Sequence, residues 1–204
     1  MRSSAASDVY KRQAGSRTLQ DHGDLKRIGN STPRYNVGLE LAADWKGFDI
    51  RMFWQGTLKR DYFQGSYYFW GANGRQGPWF STALKGHDDY FRNDEASPLG
   101  TNLNSYYPRP LFNTDKNQQS QTKYLQDASY LRLKNLQIGY SLPHNIVQKM
   151  GMQNLRIFAS GENLFTITSL IDFFDPESIE GGSWGHGNVY PLSRTFSFGL
   201  NVTF

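Results

Sequence analysis

From residue 194 to residue 204, apolar and polar side chains alternate without interruption. Phe196, Phe198, Leu200, Val202 and Phe204 share one parity, and Thr195, Ser197, Gly199, Asn201 and Thr203 share the other. Successive side chains of a strand point to opposite faces, so this run dictates a β-strand with one apolar and one polar side. The same period governs residues 35–45, where Tyr35, Val37, Leu39, Leu41, Ala43 and Trp45 alternate with Asn36, Gly38, Glu40, Ala42 and Asp44. After Lys46-Gly47 it resumes with Phe48, Ile50, Met52 and Trp54, a spacing that predicts a tight hairpin.

Further strands are expected at 130–142 and 155–165, making about five antiparallel strands in an all-β fold. In the first of these, Leu131 and Leu133 keep one parity, whereas Leu136, Ile138, Tyr140 and Leu142 keep the other. That change of phase predicts a bulge near Lys134-Asn135, or a strand that changes environment there. Residues 143–150 are expected to form short helical turns stopped by Gly151.

Alternation alone does not separate a soluble sandwich from a membrane barrel, because both cover one face of each sheet. Length, connectivity and aromatic placement do. Strands of roughly 11 to 14 residues exceed the usual ~5–6 of globular sheets, and about 11 residues tilted near 45° cross ~26 Å. The connections alternate between short (46–47 and 143–153) and long (59–123 and 169–193), the pattern of periplasmic turns and extracellular loops. On this pattern the C-terminus lies on the periplasmic side. Tyr35, Trp45, Trp54, Tyr140, Phe165 and Phe204 sit near strand ends, where the aromatic girdles of a membrane barrel lie. The expected surroundings are therefore outer-membrane lipid on one face and a polar lumen on the other. Lumen-facing Glu40, Asp49, Arg51, Arg156 and Glu162 are expected to pair with one another or with a plug.

Composition narrows the functions. Aromatic residues make up 15% of the chain, and it contains no Cys, which leaves no disulfide framework and no thiol nucleophile. No apolar run of about 18 residues marks a membrane helix. The net charge of +4 is scattered rather than clustered, so no nucleic-acid partner is expected. His22, His87, His144 and His186 lack metal-ligand spacing, and no Ser/His/Asp constellation supports an enzyme of the barrel protease or lipase kind. No catalytic, metal or cofactor site is expected. Asp172, Asp175 and Glu177 form a carboxylate group in a loop with no His beside it, so no catalysis is expected of them.

The long loop carries the candidate contacts Tyr67, Tyr68, Trp70, Trp79, Tyr106 and Tyr107. Aromatic faces stack on sugar rings and anchor protein interfaces, but an ordered loop of this length also needs a core of its own. The sequence is compatible with both readings. Residues 1–13 show neither periodicity nor turn logic and resemble translated adapter read-through. They are expected to be a non-native leader, with 14–204 the structural unit. At the other end, Ser197, Gly199, Val202 and Phe204 fit a pattern that resembles the signal read by the outer-membrane assembly machinery.

An ordered series of phrases resembles one family. Ile28-Gly29-Asn30-Ser31-Thr32-Pro33-Arg34-Tyr35, Gly47-Phe48-Asp49, Tyr107-Pro108-Arg109 and the segment 130–140 lead it. Gly161-Glu162-Asn163-Leu164-Phe165, Asp175-Pro176-Glu177 and the closing 198–204 follow in the same order. Together they are similar to the C-terminal part of the SusC/RagA family of TonB-linked outer-membrane transporters, over about residues 23–204. The resemblance implies a barrel of about 22 strands around a plug. It also implies energy from the TonB complex through an upstream segment, a SusD-like surface lipoprotein as partner, and oligosaccharides or peptides as cargo. The competing expectation, from the residues alone, is a soluble all-β module that binds glycans or mediates adhesion.

Overall fold

The computed structural model describes residues 26–71, 84–110, 120–180 and 189–204; the leader at 1–13 lies outside them. Five long strands form one antiparallel sheet: β1 (Tyr35–Trp45), β2 (Phe48–Leu58), β5 (Tyr130–Ser141), β6 (Asn154–Thr168) and β7 (Thr195–Thr203). They lie in the order β1-β2-β5-β6-β7, so each long strand pairs with the next along the chain. A separate pair, β3 (Asp61–Phe63) and β4 (Leu125–Asp127), lies within the long connection, which also holds a one-turn helix, α1 (Tyr67–Trp70).

The β1–β2 hairpin closes as its sequence demands. Trp45 faces Phe48, and both linking residues adopt positive φ, 48° at Lys46 and 87° at Gly47. Two left-handed residues in succession twist the chain in the sense that matches paired strands, and glycine takes the second position without steric cost. At the same end, α2 (His144–Lys149) buries Val147 and stops before Gly151, whose φ is 75°.

Register explains the change of parity in β5. Met52 pairs with Leu136, but Trp54 pairs with Leu133, so β5 skips a residue against β2 between Phe53 and Trp54. β6 shifts over the same stretch, pairing Leu136 with Gly161 and Leu133 with Phe165. The bulge therefore returns Leu131 and Leu133 to the face that already carries Leu136, Ile138 and Tyr140. Followed across all five strands, one face collects Leu39, Leu41, Ile50, Met52, Leu136, Ile138, Ile157, Phe196, Phe198 and Leu200. The other collects Glu40, Asp49, Arg51, Gln137, Ser160, Ser197 and Asn201.

The apolar face is not covered by the chain. Leu39, Ile138, Ile157, Phe196, Phe198 and Leu200 are all exposed, Phe198 at 84%. No second sheet packs on it among the described residues, where the only other sheet is the two-stranded β3–β4 pair. A soluble sandwich buries the apolar face of each of its sheets; this one leaves most of it open, Leu133 beside the bulge being buried. Neighbouring residues of β5 therefore answer differently to the same charge. Ile138→Arg is expected to destabilise the membrane-inserted protein by about 2–4 kcal/mol, while Gln137→Arg on the polar face is nearly neutral. The heat-modifiable folded fraction in isolated outer membranes measures both.

The polar face is cross-linked. Asp49 of β2 and Arg156 of β6 meet over β5, with Arg156 Nε donating to Asp49 Oδ2 at 2.8 Å. They can span a whole strand because the residue beneath them is Gly139; a Cβ there would lie 2.4 Å from both the guanidinium and the carboxylate. This is one of the pairings expected of the lumen-facing charges.

Candidate functional site

The two long connections leave the same end of the sheet and fold into one cap. Its core consists of Tyr62, Phe69, Trp70, Tyr107, Tyr124 and Ala128 from the first connection, with Leu170, Phe174 and Ile179 from the second. The rings meet edge to face: Phe69 lies 4.8 Å from Trp70 and 5.5 Å from Tyr107, and Trp70 lies 4.7 Å from Tyr124. Such contacts favour the ring quadrupoles and add to area burial. Side-chain donors join the two connections, with Tyr62 Oη donating to the Ile179 carbonyl at 3.1 Å and Arg60 Nη1 to that of Pro176 at 3.3 Å. Burial pushes the Tyr124 hydroxyl up to about 12 and raises that of Tyr107 further, so both remain neutral phenols.

The cap assigns places to the candidate aromatic contacts. Trp70 and Tyr107 are 7% and 4% exposed, so their surfaces are spent on the cap's own packing. Tyr68 and Tyr106 pack against that core from its rim and keep part of their surface. Trp79 and the side chain of Tyr67 lie outside the described residues.

The carboxylates of the second connection are ion-paired to the sheet. Arg132 of β5 donates from Nη2 to Asp175 Oδ2 at 2.7 Å, from Nη1 to Glu177 Oε2 at 2.8 Å and from Nε to Thr166 Oγ1 at 2.8 Å. Lys134, the residue that the bulge releases from the ladder, reaches Glu177 Oε1 at 3.0 Å. Arg132 is buried and each of its three guanidinium nitrogens donates a hydrogen bond, the arrangement that charge-assisted pairs need in order to offset desolvation. Burial alone would raise the Asp175 pKa. The Arg132 guanidinium and the backbone N–H groups of Glu177 and Leu192 outweigh it and hold the carboxyl below its usual range. Asp175-Pro176-Glu177 is thus a clasp on the sheet, and among the described residues no cluster of acidic or histidine side chains has the makings of a metal site.

His87 pins a third segment. Its Nδ1 accepts the Leu84 N–H at 2.9 Å, and its Nε2 faces the carbonyls of Tyr68 and Phe69 at 2.9 and 3.1 Å. The proton therefore belongs on Nε2, and a second one on Nδ1 would point at an N–H. Tyr107 and Phe173 pack edge-on against the ring. Desolvation lowers the imidazole pKa below its ordinary 6.5, against the opposing pull of the two carbonyls and Asp88. Below that ordinary value the unfolded loop binds a proton that the folded cap refuses. The stabilisation is complete above about pH 6.5 and is lost as pH falls toward the lowered value. Protease cleavage of the cap is expected to accelerate as pH drops below 6.5, and His87→Gln should lack that pH step.

In the last strand, Ser197 and Gly199 lie on the polar face of β7 and Val202 on the apolar face. Gly199 carries the ring of Phe158, which would stand 2.3 Å from a Cβ there. Phe204 follows the strand and is 82% exposed.

No family model matches the chain. It is 32% identical over 190 residues to TonB-dependent receptor P3 of Formosa agariphila and 29% identical over 200 residues to TonB-dependent receptor P26 of the same organism. Each alignment covers 89% of this chain, which spans 17% and 18% of the length of those relatives. Among solved structures it is similar to the RagAB peptide transporter, with 28% identity and a TM-score of 0.60 over 88% of this chain and 18% of that one. The RagAB peptide importer in its closed-closed state gives 26% identity and a TM-score of 0.61 over 87% of this chain and 18% of that one. A sheet apolar on one face and polar on the other, short turns at one end and a packed cap at the other are features of an outer-membrane barrel wall. With that architecture and these relatives, the chain is similar in sequence and in fold to a stretch of the outer-membrane β-barrel of TonB-dependent receptors of the SusC/RagA type.

Proposed function

We propose that these strands form part of the wall of a TonB-dependent nutrient importer, with the cap at its extracellular mouth. The observation that supports this most is the pairing of an uninterrupted apolar face with a charged, cross-linked polar face, which suits a wall between lipid and a lumen. Cargo of oligosaccharide or peptide class would enter from beneath a SusD-like lipoprotein seated on the cap. Tyr68 and Tyr106 at the rim are the candidate contacts to either. TonB would supply the energy through a segment elsewhere in the receptor, and Ser197, Gly199, Val202 and Phe204 would present β7 to the assembly machinery. The named structural neighbours are peptide transporters, which favours peptides; the family resemblance favours oligosaccharides.

The test is uptake by cells that carry the full-length receptor or have lost its gene. Labelled oligosaccharides and labelled oligopeptides are supplied separately, with and without dissipation of the proton-motive force. Energy-dependent uptake of one class that disappears with the gene supports import and identifies the cargo. Equal uptake of both classes by the two strains contradicts it.

A further inference from the structure

At the cap end, the two faces of the sheet are covered unequally. Thr57, Tyr130 and Arg132, on the polar face, are 8%, 6% and 4% exposed. On the apolar face at the neighbouring rungs, Leu58 is 41% exposed and Ile167 is 54% exposed, with only Leu133, beside the bulge, buried among the leucines and isoleucines there. Loops that merely extended the strands would cover both faces alike. These fold over to the polar side, and the segment 169–180 is the part tied down there.

The ties are specific. Arg132 holds Asp175 and Glu177, Lys134 holds Glu177, and Arg60 Nη2 holds Glu180 at 2.6 Å. The first three bonds attach the loop to β5 itself rather than to the rest of the cap. Breaking a buried pair by removing one partner leaves an uncompensated charge, so this clasp opens only at considerable cost.

We propose that Arg132 is a positioning residue that clasps the segment 169–180 inward over the polar face, so that this loop sets how wide an object can pass along the wall. The inference rests on the reading of the polar face as a transport lumen, and it adds a determinant of cargo size. Gln55 is the partner of Arg132 in the β2–β5 register and is exposed on the polar face beside the clasp. It is the natural place to read the opening.

The experiment uses the full-length receptor in intact cells, stripped of any other cysteine and carrying Gln55→Cys. The cells are labelled from outside with polyethylene glycol maleimides of increasing size. In the otherwise unaltered receptor, small reagents are expected to react and large ones to be excluded. Adding Arg132→Gln should shift the size limit upward and speed labelling by a mid-sized reagent about tenfold. Adding Asp175→Asn with Glu177→Gln, on the opposite side of the clasp, should do the same. Surface amount and heat-modifiability are checked for each, so the second variant decides if the first does not assemble. An unchanged size limit in an assembled variant overturns the proposal. Uptake is measured separately: a shifted limit in a receptor that imports nothing supports the clasp while contradicting the importer reading.

Discussion

Gly56→Val is expected to remove the assembled receptor from the outer membrane almost completely. Gly56 lies in β2 opposite Leu131 of β5, just past the register shift. A Cβ at this position would stand 2.3 Å from the Tyr130 carbonyl oxygen and 3.1 Å from the Leu131 Cα. Both are backbone atoms, which no change of rotamer can move. The two strands would have to part where the ladder is already interrupted, so the cost should exceed the ~1–3 kcal/mol of ordinary overpacking. A loss of stability on this scale is expected to lower the heat-modifiable folded form about tenfold or more. Gly38→Val is the control, because its Cβ would meet only the ring of Phe53 at 3.7 Å. Wild-type amounts of a Gly56→Val receptor would show that β2 and β5 do not approach as described.

Phe69→Ala should open the cap and leave the wall standing. The side chain is 0% exposed and touches Trp70, Tyr107 and Tyr124, so it joins the helix α1 to both flanks of the first connection. Removing a buried phenylalanine costs about 3–5 kcal/mol. None of that packing involves the ladder between β1, β2, β5, β6 and β7. The expected result is a receptor present at normal surface level whose segment 84–110 is cut readily by an external protease. Leu103→Ala serves as the comparison, since Leu103 is 65% exposed and surface changes usually stay within about 0.5 kcal/mol. A cap as resistant as wild type after loss of Phe69 would mean that its core does not hold it together.

What the sequence makes legible here is periodic, and what it hides is tertiary. The β1–β2 hairpin, β5, β6 and β7 could be read because each repeats a two-residue period long enough to exceed chance. The change of phase at Lys134-Asn135 was readable as a bulge. That the bulge restores Leu131 to the face of Leu136 follows only from pairing with Trp54 and Phe165. The elements β3, β4 and α1 span three or four residues each, too few for a period, and they exist because Tyr62, Phe69 and Trp70 pack into the cap. Asp175-Pro176-Glu177 could be recognised as a loop motif without a catalytic setting. Its partners Arg132 and Lys134 lie 43 to 45 residues away, and no local spacing points to them. His87 likewise carries no signal in its neighbours, because its bonds run to main-chain atoms.

The central claim is that the alternating faces of this sheet meet lipid on one side and water on the other. Spin labels placed singly from Thr195 to Val202 in the full-length receptor, in native outer membranes, test it most directly. Collision with oxygen, which concentrates in lipid, is compared with collision with a water-soluble nickel chelate at each position. A two-residue oscillation is expected, with Phe196, Phe198, Leu200 and Val202 favouring oxygen and Thr195, Ser197, Gly199 and Asn201 the chelate. A flat profile, or one with the opposite phase, would contradict the assignment of the apolar face to the membrane.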